Sequence, residues 1–339
     1  MSVPGLEIVR VARGFTQAEL AAATGLPQSA ISKCESGEPL DEGRLEEVAR
    51  VLECPTELLT DEVLTFSASA CVFHRKRAST TVAQAKQARA WLALARLHSE
   101  KLLDLVDAPK VRLPRVTPTD DEYVTPEDVA GDVRSALRLP LGPVPDLVGA
   151  LEDAGVIVRD RTFDGRKIDA LSDWLAGHRP VFLLNSAVSG ERQRFTLAHE
   201  TGHAVMHEVV TEKSESQADR FAAELLMPAE AIRSDLENPT LERLLGLKRK
   251  WQVSAAALAR RAFDLGLVSD AVYRRLNMEM SAAGWRSNEP LRLPRERPEL
   301  LAATVARAKD HLGVAETARR VYLLDDQLSV MFEAGDAHV

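Results

Sequence analysis

The chain has 339 residues, 45% of them hydrophobic, with 51 acidic against 43 basic side chains and a formal charge of −8 at pH 7. That length supports two or three domains with cores of their own, and the acidic balance excludes a protein built mainly to coat nucleic acid while leaving room for a small DNA-reading module. There is no run of eighteen apolar residues and no charged-then-apolar leader, so a cytoplasmic protein with no membrane partner is expected; Cys34, Cys54 and Cys71 lack a paired metal-binding spacing and read as reduced thiols.

Residues 6–59 read as a compact group of short helices. Thr16-Gln-Ala-Glu19 is a capping box opening a helix that ends at Gly25, and a second helix starts near Pro27 and stops at Gly37. Asp41 caps a third, which carries Leu45, Val48, Ala49 and Leu52 inward. Helix, glycine turn and polar-faced helix is the layout of a helix-turn-helix. The segments Phe15-Thr-Gln-Ala-Glu-Leu-Ala and Gly25-Leu-Pro-Gln-Ser-Ala-Ile-Ser-Lys-Cys-Glu-Ser-Gly37 resemble the phage-repressor-like (Xre) helix-turn-helix family. The resemblance implies that Gln28, Ser29, Ser32 and Lys33 face the major groove of double-stranded DNA. Residues 1–60 hold five Lys or Arg against ten acids, whereas phosphate binding needs local positive charge. A homodimer that doubles the contacts, or a module that docks on protein instead, therefore stays open.

The next compact basic run, His74-Arg-Lys-Arg77, reads as a solvated face, with phosphate contact the alternative. Ala83 to Val106 carries Ala88, Trp91, Leu92, Ala95, Leu102, Leu103 and Val106 at helical spacing, predicting a connector helix of roughly 35 Å that packs on a second domain. Lys110 to Thr125, rich in proline and acid, marks a boundary. A capped helix is expected from Thr125 and another over Asp146 to Ala154, followed by strands at Val156–Arg159, Ile168–Trp174 and Pro180–Asn185.

Residues 194–207 read Arg-Phe-Thr-Leu-Ala-His-Glu-Thr-Gly-His-Ala-Val-Met-His. His199 and His203 stand four apart, so on a helix both imidazoles leave one face a turn apart and can share a divalent metal, with Glu200 displaced around the helix as a base. Five residues could also be the surface of an ordinary helix bearing two solvated histidines. The sequel argues against that: Glu215 opens a second helix whose buried face is Ala218, Phe221, Ala222, Leu225 and Leu226, and Asp219, one turn on, can hold a ligand histidine by its second ring nitrogen. Glu212 and Glu224 compete with Glu215 as the third ligand, and Asp219 favours Glu215. His207 lies about 6 Å beyond His203 along the axis, too far for the same ion, and is expected to be structural or substrate-facing.

Gly155-Val-Ile-Val, Asp169-Ala-Leu-Ser with Trp174, Arg179-Pro-Val-Phe-Leu-Leu-Asn, the His-Glu-x-x-His stretch and Asp219-Arg-Phe-Ala-Ala-Glu-Leu-Leu-Met-Pro together resemble the ImmA/IrrE family of metallopeptidases over about residues 145–265. The resemblance implies Zn2+ held by His199, His203 and Glu215, Glu200 as catalytic base, and a repressor-type protein as substrate, cleaved to control a mobile element, a toxin-antitoxin pair or a stress response. Tyr273, Arg260 and Arg261 are candidates for stabilising the oxyanion, with no choice among them. After Pro228 the chain reads as helical, with Ser254 capping one helix, Arg292 to Pro298 dividing two helical stretches, and Val314 to Phe332 the last.

The expected fold class is α+β: an all-α helix-turn-helix domain (1–60), a connector with a long helix (61–115), a zincin-like metallopeptidase domain with a small sheet (116–267) and a helical C-terminal region (268–339). The expected function is a DNA-binding regulator with zinc-dependent endopeptidase activity. The alternative is a transcriptional regulator or antitoxin-like protein whose metal domain senses a ligand or partner without cutting.

Overall fold

The computed structural model describes residues 1–62, 81–116, 124–163, 168–208 and 211–332. The basic run at residues 74–77, Cys71 and part of the proposed boundary lie outside them. Their contacts divide the chain into two units that interleave along the sequence. One comprises Met1–Pro109, Val156–Leu183 and Pro298–Val339, the other Lys110–Gly155 and Leu184–Arg297.

The first unit begins with five short helices, α1 (Leu6–Ala12), α2 (Gln17–Thr24), α3 (Gln28–Glu35), α4 (Glu42–Val51) and α5 (Thr56–Thr60). The expected caps form: Thr16 and Glu19 exchange side-chain and backbone hydrogen bonds, Gly25 takes the left-handed conformation at φ 69°, and Asp41 accepts from the Arg44 N–H. Leu6, Leu20, Ile31, Leu45, Val48 and Leu52 close a common core, in which Cys34 and Cys54 are buried free thiols. Arg10 reaches from α1 to Glu35 on α3 in a buried two-pronged ion pair, which Gln17 joins through Glu35 Oε2 at 2.6 Å.

Helix α6 (Val82–Leu103) opens on a capping box at Thr81 and is buried on two sides. Ala90, Ala93 and Leu97 join the core of α1–α5, while Ala88, Trp91, Leu92, Ala95, Leu102 and Leu103 join a second core. A helix covered on opposite faces needs apolar residues all round, so this one serves as a shared wall as well as a connector.

Two helices of the second unit come next in sequence, α7 (Pro126–Ala136) and α8 (Leu147–Asp153), and the strands follow: β1 (Ile157–Arg161), β2 (Ala170–Asp173) and β3 (Val181–Asn185). The sheet order is β1-β3-β2, which makes β3 central; its uninterrupted apolar run is what a strand buried on both faces requires. Strand β2 is tied to α6 by a buried Asp173–Arg96 ion pair.

The remaining helices are α9 (Gly190–Met206), α10 (Ser214–Leu226), α11 (Ala229–Ile232), α12 (Leu241–Trp251), α13 (Ala255–Asp264), α14 (Asp270–Ala282), α15 (Leu300–Leu312), α16 (Val314–Arg320) and α17 (Asp325–Phe332). The last helical stretch, Val314 to Phe332, comprises two helices. Tyr322 takes a left-handed φ of 58° between them, and the turn buries Val321 and Leu323 against the second core. Among the described residues no helix is long and apolar enough to cross a membrane.

Within the second unit α10 packs on α9 and α7. Arg134 of α7 is buried and donates to the carbonyls of Leu225, Pro140 and Gly142, and Arg220 of α10 pairs with Glu127 of α7. The N-terminal half of α9 is held by buried charge. Arg194, 1% exposed, pairs with Glu296 and donates to the Val144 carbonyl, while Glu296 also accepts from the Leu147 and Val148 N–H groups at the start of α8.

Candidate metal centre

Helix α9 is buried over most of its length, so its register is fixed by packing and the direction of each side chain follows. His199 and His203 are 6% and 0% exposed, and their Nε2 atoms face each other 3.0 Å apart. Glu215, in the first turn of α10, brings its carboxylate to 3.6 Å from His199 Nε2 and 3.5 Å from His203 Nε2. These three donors lie within 4.8 Å of one another, and they form the only group of three or more His, Cys, Asp or Glu with metal-ligand spacing among the described residues. With metal–nitrogen bonds of about 2.0–2.1 Å, the corners of a tetrahedron lie about 3.4 Å apart. Separations of 3.0–3.6 Å match that figure, so the donor set fits one tetrahedral ion with a corner left over.

The competitors for the third position separate in space. Glu224 accepts from the Ala229 N–H at 3.0 Å and pairs with Arg261, and Glu212 is exposed ahead of α10. The side chain of Glu215 is about half exposed while both histidines are buried, so the site has an imidazole floor and a carboxylate rim open to solvent. Glu200 is 4% exposed and sits one residue, about 100°, around α9 from His199.

Each histidine has a second partner. Asp219 Oδ1 lies 2.8 Å from His199 Nδ1, as the one-turn spacing from Glu215 predicts. His203 Nδ1 lies 3.0 Å from Nδ1 of His207, whose Nε2 is 3.0 Å from Gln217 Oε1. If His203 ligates through Nε2, its proton is on Nδ1; His207 Nδ1 then accepts, and His207 Nε2 donates to Gln217, so one tautomer assignment satisfies the whole chain. His207 is the C-cap residue of α9 and orients His203 from behind. Sequence reading did not find Gln217. The signal lies in α10 itself, where Glu215, Gln217 and Asp219 alternate around a helix whose other face is apolar.

Charge follows this geometry. Burial opposes protonation of His199, but the Asp219, Glu215 and Glu200 carboxylates outweigh it and push its pKa up to about 9. Burial, aided by the neighbouring His199 and His207, drives His203 down to about 4 against the pull of Glu215. Hydrogen bonds from both histidines hold Glu215 far below the usual carboxylate range.

The glycine between the histidines has a packing reason. A Cβ on Gly202 would stand 2.8 Å from Cδ1 and 3.0 Å from Cγ of Phe221, a fully buried ring on α10. Helix propensity alone would favour alanine here by about 1 kcal/mol, but overpacking costs about 1–3 kcal/mol. Gly202→Ala should lower the urea midpoint and, by pushing α10 outward, weaken metal binding through Glu215. A variant with undiminished zinc affinity would show that this contact does not set the α9–α10 spacing.

On the other candidate residues the structure is specific. Gln28, Ser29, Ser32 and Lys33 are all exposed on α3, opposite the buried Ile31 and Cys34. Arg261 is buried, bonded to the Met227 carbonyl and Glu224; Arg260 pairs with Asp264; Tyr273 stacks on Phe263 at 4.8 Å.

Residues 151–263 match the family model described as the IrrE N-terminal-like domain, and residues 6–59 match a helix-turn-helix model. The chain thus carries a helix-turn-helix domain and, over about a third of its length, a domain similar to the IrrE N-terminal-like family. It is similar to the radiation response metalloprotease IrrE of Deinococcus radiodurans, 37% identical over 94 residues that make up 23% of this chain and 29% of that protein. The IrrE of Deinococcus deserti is 41% identical over 94 residues, 23% of this chain and 34% of that one. The chain spans about a third of the length of the curated relatives it matches.

Proposed function

We propose that this protein is a DNA-binding regulator with zinc-dependent endopeptidase activity, acting in the cytoplasm on a repressor-type protein. The observation that carries the reading is the tetrahedral spacing of the His199, His203 and Glu215 donors with an intact Glu200 beside them. Two imidazoles and one carboxylate suit zinc, and three protein ligands are the number a catalytic site uses, since a purely structural site closes the fourth position. A bound zinc ion supplies a Lewis acid that polarises the scissile carbonyl and makes water more acidic. Glu200 takes the proton of the attacking water and returns it to the leaving amine. Asp219 and His207 keep the two imidazoles in register, and the half-open rim formed by Glu215 and Asp219 admits an extended chain. The curated relatives are named radiation response metalloproteases, which supports control of a stress response; a mobile element or a toxin-antitoxin pair is the other setting in which a cleaved repressor has the same effect.

The proposed functional modules follow the sequence reading, DNA reader (1–60), connector (61–115), peptidase (116–267) and a C-terminal helical part (268–339), and they cut across the two contact units, one of which joins Val156–Leu183 to Met1–Pro109. Zinc analysis by mass spectrometry tests the centre directly. The wild-type chain should carry about one zinc and His203→Ala essentially none, because the remaining donors leave two corners open. Equal zinc in both would remove the proposed ligand set.

The reader works with little charge. Arg10 is spent on Glu35, Arg13 on the Leu52 and Glu53 carbonyls, Arg44 on Asp41 and Arg50 on Glu47. DNA affinity then rests on the α3 face, where Lys33 is the cation and pairs with Glu38 at 3.5 Å across an exposed contact that DNA phosphate can replace, and on a homodimer that presents the face twice. Ser32→Glu with Lys33→Glu should weaken binding to genomic fragments selected by the wild-type protein more than tenfold, since each groove or phosphate contact contributes about 1–3 kcal/mol. Unchanged gel-shift affinity would reject this face as the reading surface.

A further inference from the structure

Within the second unit a strap of residues 286–297 follows α14 and lies across the first turn of α9, apart from the metal centre. It carries four arginines and two glutamates, and the fold sorts them by sign. Both glutamates turn inward. Glu289 accepts from Lys248 and from the Ala255 N–H that opens α13, and Glu296 pairs with the buried Arg194. The Glu296 backbone exchanges two hydrogen bonds of 2.9 Å with the Gln193 side chain, and Gly190 lies so close beneath that a Cβ there would strike the Pro294 carbonyl. Arg295 also turns in, donating to the Asn185 and Val188 carbonyls.

Arg286, Arg292 and Arg297 are left facing solvent. Arg292 touches the neutral Asn288 amide at 3.2 Å, and among the described residues no carboxylate pairs with any of the three. Because Lys248 is anchored to Glu289, the next residue of α12, Arg249, stands beside the strap; it too is exposed and has no carboxylate partner. A surface that keeps its acids inside and its guanidiniums outside is positive locally, whatever the charge of the whole chain. Four unpaired arginines in one place suit a polyanion, and the fork of each guanidinium matches a phosphate better than an ammonium would. The adjoining α13 offers no groove reader, since its exposed Arg260 is paired with Asp264 and its first N–H is taken by Glu289.

We propose that Arg249, Arg286, Arg292 and Arg297 bind the phosphate backbone of double-stranded DNA without regard to sequence. The choice of DNA as the polyanion rests on the DNA-binding function proposed above for the helix-turn-helix, whose own arginines are spent on internal partners. Phosphate contacts of this kind hold a protein on DNA but carry no sequence information. They add a general attraction to the contacts of the α3 face, which does the reading.

Fluorescence anisotropy of the full chain on a labelled random-sequence DNA duplex, repeated over a range of KCl concentrations, tests the proposal. The wild-type chain should bind at low salt, with an affinity that falls steeply as salt rises. Arg249→Gln, Arg286→Gln, Arg292→Gln and Arg297→Gln combined should weaken binding at least about tenfold and flatten the logarithmic salt slope by at least about two, since each lost phosphate contact removes about one from it. Zinc content and melting temperature should stay at wild-type values, because all four side chains are exposed. The four single substitutions, each flattening the slope by about one, give the same reading should the combined variant not fold. Ser32→Glu with Lys33→Glu should keep most of this random-duplex binding while losing preference for the selected genomic fragments, so failure of the strap and failure of the reader are told apart. No binding of the random duplex at low salt, or an affinity and slope unchanged in the folded variants, would overturn the proposal. So would poly-L-glutamate binding as tightly as DNA of equal charge, which would assign the face to an acidic protein.

Discussion

Glu200→Gln should retain about one zinc per chain and the wild-type fold while abolishing cleavage. The carboxamide is nearly isosteric and Glu200 lies outside the three-donor cluster, so the substitution removes none of the proposed ligands and leaves the packing volume almost unchanged. An amide cannot take a proton, and general-base catalysis by a positioned carboxylate contributes about 10²–10⁴ in rate. The measurement is made in cells expressing wild-type or Glu200→Gln protein at equal levels, with newly formed protein N-termini identified by mass spectrometry. Cleavages confined to the wild type, with a repressor-type protein among the substrates, are the expected result. Identical N-terminal profiles together with an unaltered transcriptional output would abandon proteolysis for the sensor reading, in which the metal domain reports a ligand to the DNA module.

The largest loss of stability is expected from Lys248→Met. Lys248 is fully buried, and its Nζ lies 2.8 Å from both Glu191 on α9 and Glu289. Among the described residues, the two carboxylates otherwise accept from backbone N–H groups, Leu293 to Glu191 at 3.3 Å and Ala255 to Glu289 at 2.9 Å. Removing the ammonium strands the buried Glu191 charge and the partly buried Glu289 charge, a change that typically costs about 3–5 kcal/mol, more than the roughly 1.5–3 kcal/mol a buried methionine side chain can return. The pH dependence has a definite sign. Burial alone would raise the Glu191 pKa, but Lys248 and the backbone outweigh it and hold it below the ordinary value. A depressed carboxylate stabilises the fold above its unfolded pKa of about 4.3 and loses that contribution as pH falls through the folded value. The deficit of Lys248→Met should therefore be largest near pH 7 and shrink below about pH 4. Urea denaturation followed by tryptophan fluorescence measures it; a deficit independent of pH would mean that Lys248 acts through packing alone.

The His-His-Glu donor set is legible in the sequence because helical geometry is local. A four-residue interval puts His199 and His203 on one face whatever surrounds them, and the same rule joins Glu215 to Asp219. The caps at Thr16, Asp41, Thr125, Asp146 and Ser254 were legible for the same reason, since each bond closes within three residues. The central strand announced itself by its unbroken apolar run.

Other features depend on residues far apart in the chain, and only the tertiary structure decided them. Glu215 was separated from Glu212 and Glu224 by where α10 meets α9 and by the Arg261 that claims Glu224. His207 found its role through Gln217, ten residues on across a change of helix. Helix α6 looked like a spacer because periodicity reports burial but not the number of faces that share it. The break at Tyr322 came from burying Val321 and Leu323 on either side of a left-handed turn, a packing gain that local propensity cannot foresee. Local hydrogen bonds and helix faces are written in spacings of three and four, whereas the choice of a partner across the fold is made by which surfaces collapse together.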